Sequence, residues 1–265
     1  MPDSYTVDML EKTSRTFFLP IMNLNGELRD AVMCYYLLTR SVDEIEDHPT
    51  MPYPIKARLL RRVGQLLQTR FTAREFADLF APHQDELPQV TLDIHRWAAE
   101  VVPFDVAARL CEAVSAMADR MAYWVEREFR IDSEADLDQY SFCVASSVGI
   151  GLCDLWAHYD GVIASHTLAV GFGRTLQSVN MLWNRPRDLA RGVDFFPEGW
   201  GQPEMRAYAD RNLATAFAYL NALPEGQIRR FCALTLDLCR ATLQAIDNGT
   251  GLDRAKITAI GQRHS

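Results

Sequence analysis

The 265-residue sequence predicts an all-α protein, and three observations carry that expectation. Apolar residues recur with the 3.6-residue period of a helix over most of the chain. Strand-like alternation flanking Asn-Gly or Asp-Gly turns is missing. No internal repeat, low-complexity tract or long linker interrupts the pattern, so one domain over residues 1–265 is expected.

Each element follows from local chemistry. Residues 4–19 are expected to form a first helix that ends at Pro20, which lacks the amide a helix interior needs. Asn23-Leu-Asn-Gly26 reads as a turn into the next helix, and His48-Pro49 stops that helix. Met51-Pro-Tyr-Pro54 connects to an amphipathic helix, Ile55 to Arg70, with a strongly basic outer face. Short helices follow around residues 73–80 and 85–100, and Pro103 starts a long one running to about Phe129. Asp132 or Ser133 caps the next helix, with Asp136 as a capping-box-like partner three residues after Ser133. A helix from about Ile163 to Asp188 contains Pro186, which should kink or end it between Asn184 and Asp188. After a loop at Gly192–Pro197, helices over about 204–221 and 225–247 complete the core, and Leu252 to Gly261 closes the chain.

Two constellations carry chemistry. The first ends the helix that begins after Gly26: Tyr36, Arg40, Asp43 and Asp47 are spaced by four, three and four, so they share one face, with Glu46 beside it. Carboxylates converging at the end of an apolar helix suit Mg²⁺, a hard cation that takes carboxylate oxygens and completes its shell with water and substrate phosphates. A solvated helix end is the plainer reading of the same residues. The second constellation is a polar stripe, Gln177, Asn180, Asn184 and Asp188, along a helix otherwise rich in Leu, Val, Met and Trp. Buried, such a stripe needs partners; facing water, it needs none. Between the two, Tyr140, Val144, Ser147 and Gly151 fall on one face among small residues, which suits either close helix packing or an apolar ligand.

Composition narrows the class. Hydrophobic residues at 48% and charged residues at 23% are ordinary for a globular protein. A formal charge of −8 argues against nucleic acid as a partner. The six cysteines, Cys34, Cys111, Cys143, Cys153, Cys232 and Cys239, form no CxxC pair and read as buried small hydrophobes in a reducing, cytoplasmic setting. The N-terminus lacks the basic and apolar regions of a signal peptide, and no uninterrupted run of 18 apolar residues suggests a membrane span.

The sequence resembles the squalene/phytoene synthase family, in its squalene synthase branch. The resemblance runs through Thr13-Ser-Arg-Thr-Phe17, Leu24 to Val32, and Tyr36 to Asp47, which is similar to that branch's first Asp-rich motif. It resumes at Tyr140 to Leu152, Leu176 to Asn180, Phe195-Phe-Pro197 and Phe231-Cys-Ala-Leu234. The resemblance implies an all-α isoprenoid synthase fold, with helices around a central cavity and Mg²⁺ on two facing helices. By that similarity Asp43, Glu46 and Asp47 would hold Mg²⁺ on one wall, and Asn180, Asn184 and Asp188 on the other. Arg15 and Arg40 would take diphosphate oxygens, Tyr36 and Tyr140 would sit near the reacting carbons, and Phe17, Val144, Ser147 and Gln177 would line the substrate. The second motif departs from the family's pattern: Trp183 and Asn184 stand where Arg-Asp is usual, and Val193 replaces a further Arg.

The implied substrate is an allylic prenyl diphosphate, farnesyl diphosphate first. Three readings stay open: head-to-head condensation to a C30 product such as presqualene diphosphate or squalene, cyclisation of a single prenyl diphosphate, and a non-catalytic relative. Use of NADPH and the oligomeric state are left open, and the apolar products leave room for peripheral contact with lipid.

Overall fold

The computed structural model describes residues 2–14, 16–251 and 254–264, and its described residues contain helices and no strand. In chain order the helices are α1 (Ser4–Thr13), α2 (Phe18–Met22), α3 (Gly26–Glu46), α4 (Tyr53–Leu67), α5 (Ala73–Phe80), α6 (Gln89–Leu92), α7 (Ile94–Arg96) and α8 (Phe104–Glu126). They continue as α9 (Glu134–Ser141), α10 (Ser147–Asp160), α11 (His166–Ala190), α12 (Gln202–Ala222), α13 (Gln227–Asp247) and α14 (Arg254–Gln262). The expectation of an all-α protein therefore holds.

Boundaries differ from expectation where proline was read too strictly. The first helix ends at Thr13, and Pro20 lies inside α2, in a first turn where its missing amide has no partner to lose. Pro186 removes one backbone bond yet α11 continues to Ala190. The helix expected over 85–100 is instead α6, α7 and a π-helical turn at Trp97–Val101, broken at Asp93. Ser133 is the cap of α9: its hydroxyl accepts from the Asp136 amide at 3.2 Å and donates to the Asp136 carboxylate at 2.8 Å, while that carboxylate takes its backbone contact from the Asp132 amide at 3.2 Å, one residue before the cap. The start of the last expected helix, Leu252 and Asp253, lies outside the described residues.

The chain divides into two compact units, Met1–Thr13 with Asp30–Arg130, and Ser14–Arg29 with Ile131–Ser265. In the first unit α4 packs along α8. Gly64 permits this approach: a Cβ there would sit 3.1 Å from the Ser115 carbonyl oxygen, and the Ser115 hydroxyl donates to the Gly64 carbonyl at 2.8 Å. The α6 segment is tied to α3 through Ser41, whose hydroxyl donates to the Val90 carbonyl at 2.7 Å and whose own carbonyl accepts from Thr91 at 3.0 Å.

In the second unit α11 is the central helix, contacting α10, α12, α13 and a π-helical turn at Phe142–Ser146. Gly173 makes the last contact possible, because a Cβ there would fall 2.6 Å from the Ser146 Cα. The small residues Ser146 and Gly173 thus serve close helix packing. Among the described residues one helical run, Glu134–Asp160, is long and apolar enough by length and composition to cross a membrane, although the sequence has no uninterrupted run of 18 apolar residues. Its average is reached across interspersed Ser, Gly and Tyr residues, and it packs on α11 as a core helix does. All six cysteines are buried and unpaired with one another, as expected.

Candidate active site

The first constellation is assembled by the last turns of α3. The Asp47 amide donates to the Asp43 carbonyl at 2.8 Å, which carries the helical path one residue past Glu46 and keeps Asp47 on the face of Asp43. One turn back, the Arg40 guanidinium binds Asp43 at 2.6 Å and also Glu44. Burial alone would pull the Arg40 proton affinity down, but Asp43 and Glu44 more than offset it and hold the group firmly cationic. Tyr36, another turn back, donates its hydroxyl to the Thr13 carbonyl at 2.8 Å, and burial pushes its pKa up to about 12, so it stays a neutral phenol. All four residues are half-buried.

Glu46 is different, being only 1% exposed. Its carbonyl accepts from the Lys56 ammonium at 2.7 Å, and Lys56 is itself 3% exposed. A cation at a helix C-terminus complements the exposed carbonyls and the dipole there. Lys56 belongs to the helix with the basic outer face, yet its spacing to Leu60, Val63 and Leu67 (four, seven and eleven residues) puts it on the buried stripe. His48 fixes the turn that follows. Its Nδ1 accepts from the Met51 amide at 3.0 Å, which leaves Nε2 to donate to the Glu86 carbonyl at 3.2 Å. Lys56 and His48 are positioning residues that the sequence reading missed.

In the second unit, Tyr140 is 2% exposed and stacks on Phe195 with ring centroids 4.9 Å apart and planes 15° from parallel. The π-helical turn after α9 carries Val144, which with Ser147 is half-buried; the Ser147 hydroxyl donates to the Cys143 carbonyl at 2.9 Å. Such turns are frequent at functional sites. Along α11, Gln177 is half-buried, Asn180 exposed, Asn184 half-buried and Asp188 4% exposed. Asn184 donates its amide to the Asn180 carbonyl oxygen at 2.7 Å. The Asp188 carboxylate lies 3.2 Å from Arg191 and 4.0 Å from Arg187.

Phe17 is half-buried, whereas Arg15 lies outside the described residues. The loop after α11 is held by Arg185, which binds Asp194 at 2.8 Å and lies 3.9 Å over the Phe196 ring. Asp194 in turn accepts from the Phe196 amide at 3.1 Å. A cleft of about 570 Å³ opens on the first unit beside Tyr53, Ala57, Arg58 and Arg62, but none of the candidate site residues lines it. Its open wall carries Arg58, Arg61 and Arg62 with Glu126 and Glu128, and Glu126 is already bound by Arg61 at 2.7 Å, so the residues and not the cleft define the candidate site.

Whether these residues suit Mg²⁺ depends on their donors. Among the described residues no group of three or more His, Cys, Asp or Glu side chains converges as a metal cage. Mg²⁺ does not require one, since one or two carboxylates with water and phosphate oxygens commonly complete its shell. Asp43 and Asp47, half-buried on one face, fit that description: Arg40 binds Asp43 at 2.6 Å, but with Glu44 they set three carboxylates against that one guanidinium, so negative charge is left over for a cation. The α11 line does not: it offers one carboxylate already facing two guanidinium groups, and two amides bonded to each other.

Comparison with known proteins completes the description. A model of the squalene/phytoene synthase family matches residues 10–202. The rat squalene synthase is 28% identical over 268 residues, covering 90% of this chain and 62% of the rat protein. That of Schizosaccharomyces pombe is 26% identical over 272 residues, covering 90% of this chain and 58% of the yeast protein. The chain thus spans about three-fifths of the length of these curated relatives. The solved structure of TcSQS with a bound ligand superimposes with a TM-score of 0.80 at 23% identity, covering 98% of this chain and 85% of that one. A dehydrosqualene synthase in complex with a ligand gives 0.63 at 15% identity, over 98% and 94%. These likenesses show a shared all-α fold, and the family match over most of the sequence shows that the chain belongs to the squalene/phytoene synthase family.

Proposed function

We propose that this chain ionises an allylic prenyl diphosphate, farnesyl diphosphate first, and joins two such molecules head to head to give a C30 product such as presqualene diphosphate or squalene. The observation that carries the reading is the half-buried face of α3, where Tyr36, Arg40, Asp43 and Asp47 stand in register within a chain of this family. In the ionising step the C1–O bond breaks and its electron pair leaves with the diphosphate, so positive charge appears on the carbon and negative charge on the leaving group. Mg²⁺, when bound, would supply the Lewis acidity that neutralises that leaving group, and Asp43 and Asp47 would hold it.

The chain's own residues account for the rest. Arg40 brings a permanently charged guanidinium whose planar fork matches diphosphate oxygens. Fixed charge of this kind stabilises the transition state more than the ground state, because it is aimed at charge that develops only on bond breaking. Tyr36, half-buried, stays protonated and presents an aromatic face, and aromatic faces stabilise cations directly. Val144 and the neighbouring small apolar residues would keep water from the carbocation.

Product analysis tests the reading. Purified protein is incubated with farnesyl diphosphate and Mg²⁺, with and without NADPH, and the organic extract is analysed by mass spectrometry. A C30 product supports head-to-head condensation, and dependence on NADPH separates squalene from unreduced products. A second reading, cyclisation of one prenyl diphosphate, would yield a cyclic C15 product and no C30.

A further inference from the structure

The end of α11 is built differently from a metal-binding wall. Gly192, at φ +84°, closes the helix in a Schellman motif: the Val193 amide donates to the Asp188 carbonyl at 3.0 Å and the Gly192 amide to the Leu189 carbonyl at 3.0 Å. That cap buries Val193, which occupies the place of an expected arginine, and sets Arg191 at the helix end. From there the Arg191 guanidinium reaches back to Asp188 at 3.2 Å and lies 5.8 Å from the centre of the Phe195 ring, the ring that stacks on Tyr140. Residues 180–194 carry three arginines (Arg185, Arg187, Arg191) and two aspartates (Asp188, Asp194), three minus two, a net charge of +1.

We infer that this end of α11 grips a diphosphate with arginine instead of a second bound cation, with Arg191 as the residue that binds the anion. The inference rests on the prenyl diphosphate reading and names how that substrate is held. A divalent cation approaching Asp188 meets guanidinium groups at 3.2 and 4.0 Å from the same oxygen, and the neighbouring Asn180 and Asn184 add no charge to repay the repulsion. A diphosphate meets the reverse balance. Asp188, 4% exposed, and the Phe195 ring hold the Arg191 fork in a fixed orientation, so less entropy is lost when an anion binds. Trp183 and Val193 stand where the family's arginines would be, and Arg191 restores guanidinium charge from a different position in the same stretch.

The test uses inorganic pyrophosphate as the probe, with binding measured by calorimetry in Mg²⁺ and bound metal counted by electron paramagnetic resonance with Mn²⁺. Arg191→Gln should weaken pyrophosphate binding about tenfold or more, as loss of a charge-assisted contact does. Arg191→Lys should recover part of it, keeping the charge without the fork. Asn184→Ala should leave the Mn²⁺ count in the pyrophosphate complex unchanged, while Asp43→Asn should lower it. Circular dichroism confirms that each variant is folded. A folded Arg191→Gln protein that binds pyrophosphate like the wild type, an Asn184→Ala protein that loses a bound Mn²⁺, or a wild type that does not bind pyrophosphate would each overturn the inference. Pyrophosphate binding needs no ionisation chemistry, so a failure of the proposed reaction is distinguishable from a failure here.

Discussion

The buried Lys56 ammonium donates to the Glu46 carbonyl at 2.7 Å, and through that bond the helix end that carries Asp43 and Asp47 is anchored to α4. Replacing Lys56 with methionine keeps the volume and removes the donor. The loss should cost about 1.5–3 kcal/mol, the range for a hydrogen bond to a charged group. A shift of the urea midpoint at unchanged slope would register it; a Lys56→Met protein as stable as the wild type would refute the anchoring role.

Gly173 makes a similar argument from space instead of charge. A Cβ at that position would meet backbone, 2.6 Å from the Ser146 Cα, and backbone cannot swing aside as a flexible side chain can. Gly173→Ala should therefore destabilise by about 1–3 kcal/mol, the cost of overpacking a close helix contact. Thermal unfolding followed by circular dichroism measures it. Gly251, whose surroundings are open, is the control and should tolerate alanine with little change.

The carboxylates of α3 have a catalytic consequence. Asp43→Ala removes one of the two half-buried donors and one of the two carboxylates that hold Arg40, so diphosphate release should fall by about a hundredfold or more, as when a key electrostatic group is removed. Full retention of activity would exclude Asp43 from the site.

Alkaline pH probes the buried thiols. Burial raises Cys34 and Cys239 to about 12 and Cys111 to about 11, from an ordinary value of 9.0. Tyr36 is raised from 10.0 to about 12 by the same cause. Each group is neutral in the folded protein while its unfolded counterpart has already lost a proton, so the unfolded state binds fewer protons and stability declines as pH rises. The stabilising effect is fully present below pH 9 and should be lost progressively towards 11–12. Urea midpoints should be lower at pH 10 than at pH 8. A flat or rising profile would contradict the burial of these groups, as would rapid reaction of the native thiols with a disulfide reagent.

Much of this was legible in the sequence because helical spacing fixes which residues share a face. Tyr36, Arg40, Asp43 and Asp47 were placed together by counting alone, and the Ser133–Asp136 cap by its residue types. What resisted reading depended on tertiary surroundings. The near-complete burial of Glu46 and Lys56 is one such case, since charged residues are seldom buried without a partner and the bond between them joins two helices. Proline was treated as a helix breaker, whereas Pro186 forfeits one bond inside a helix whose end is secured by Gly192. Arg191 stands between Trp183 and Val193, the two positions at which the family's arginines are replaced, and so supplies guanidinium charge from a place the family pattern does not mark. Its i,i+3 spacing from Asp188, just before a glycine, is the signal the sequence offers.

The central claim is that this chain breaks the C1–O bond of a prenyl diphosphate, and pyrophosphate release measures that bond breaking most directly. Purified protein is given farnesyl diphosphate with Mg²⁺ and, in parallel, with a chelator, and released pyrophosphate is followed over time. The account predicts release that requires Mg²⁺ and vanishes in Asp43→Ala. No release from farnesyl diphosphate, or from shorter and longer prenyl diphosphates, would contradict it and favour a non-catalytic member of the family.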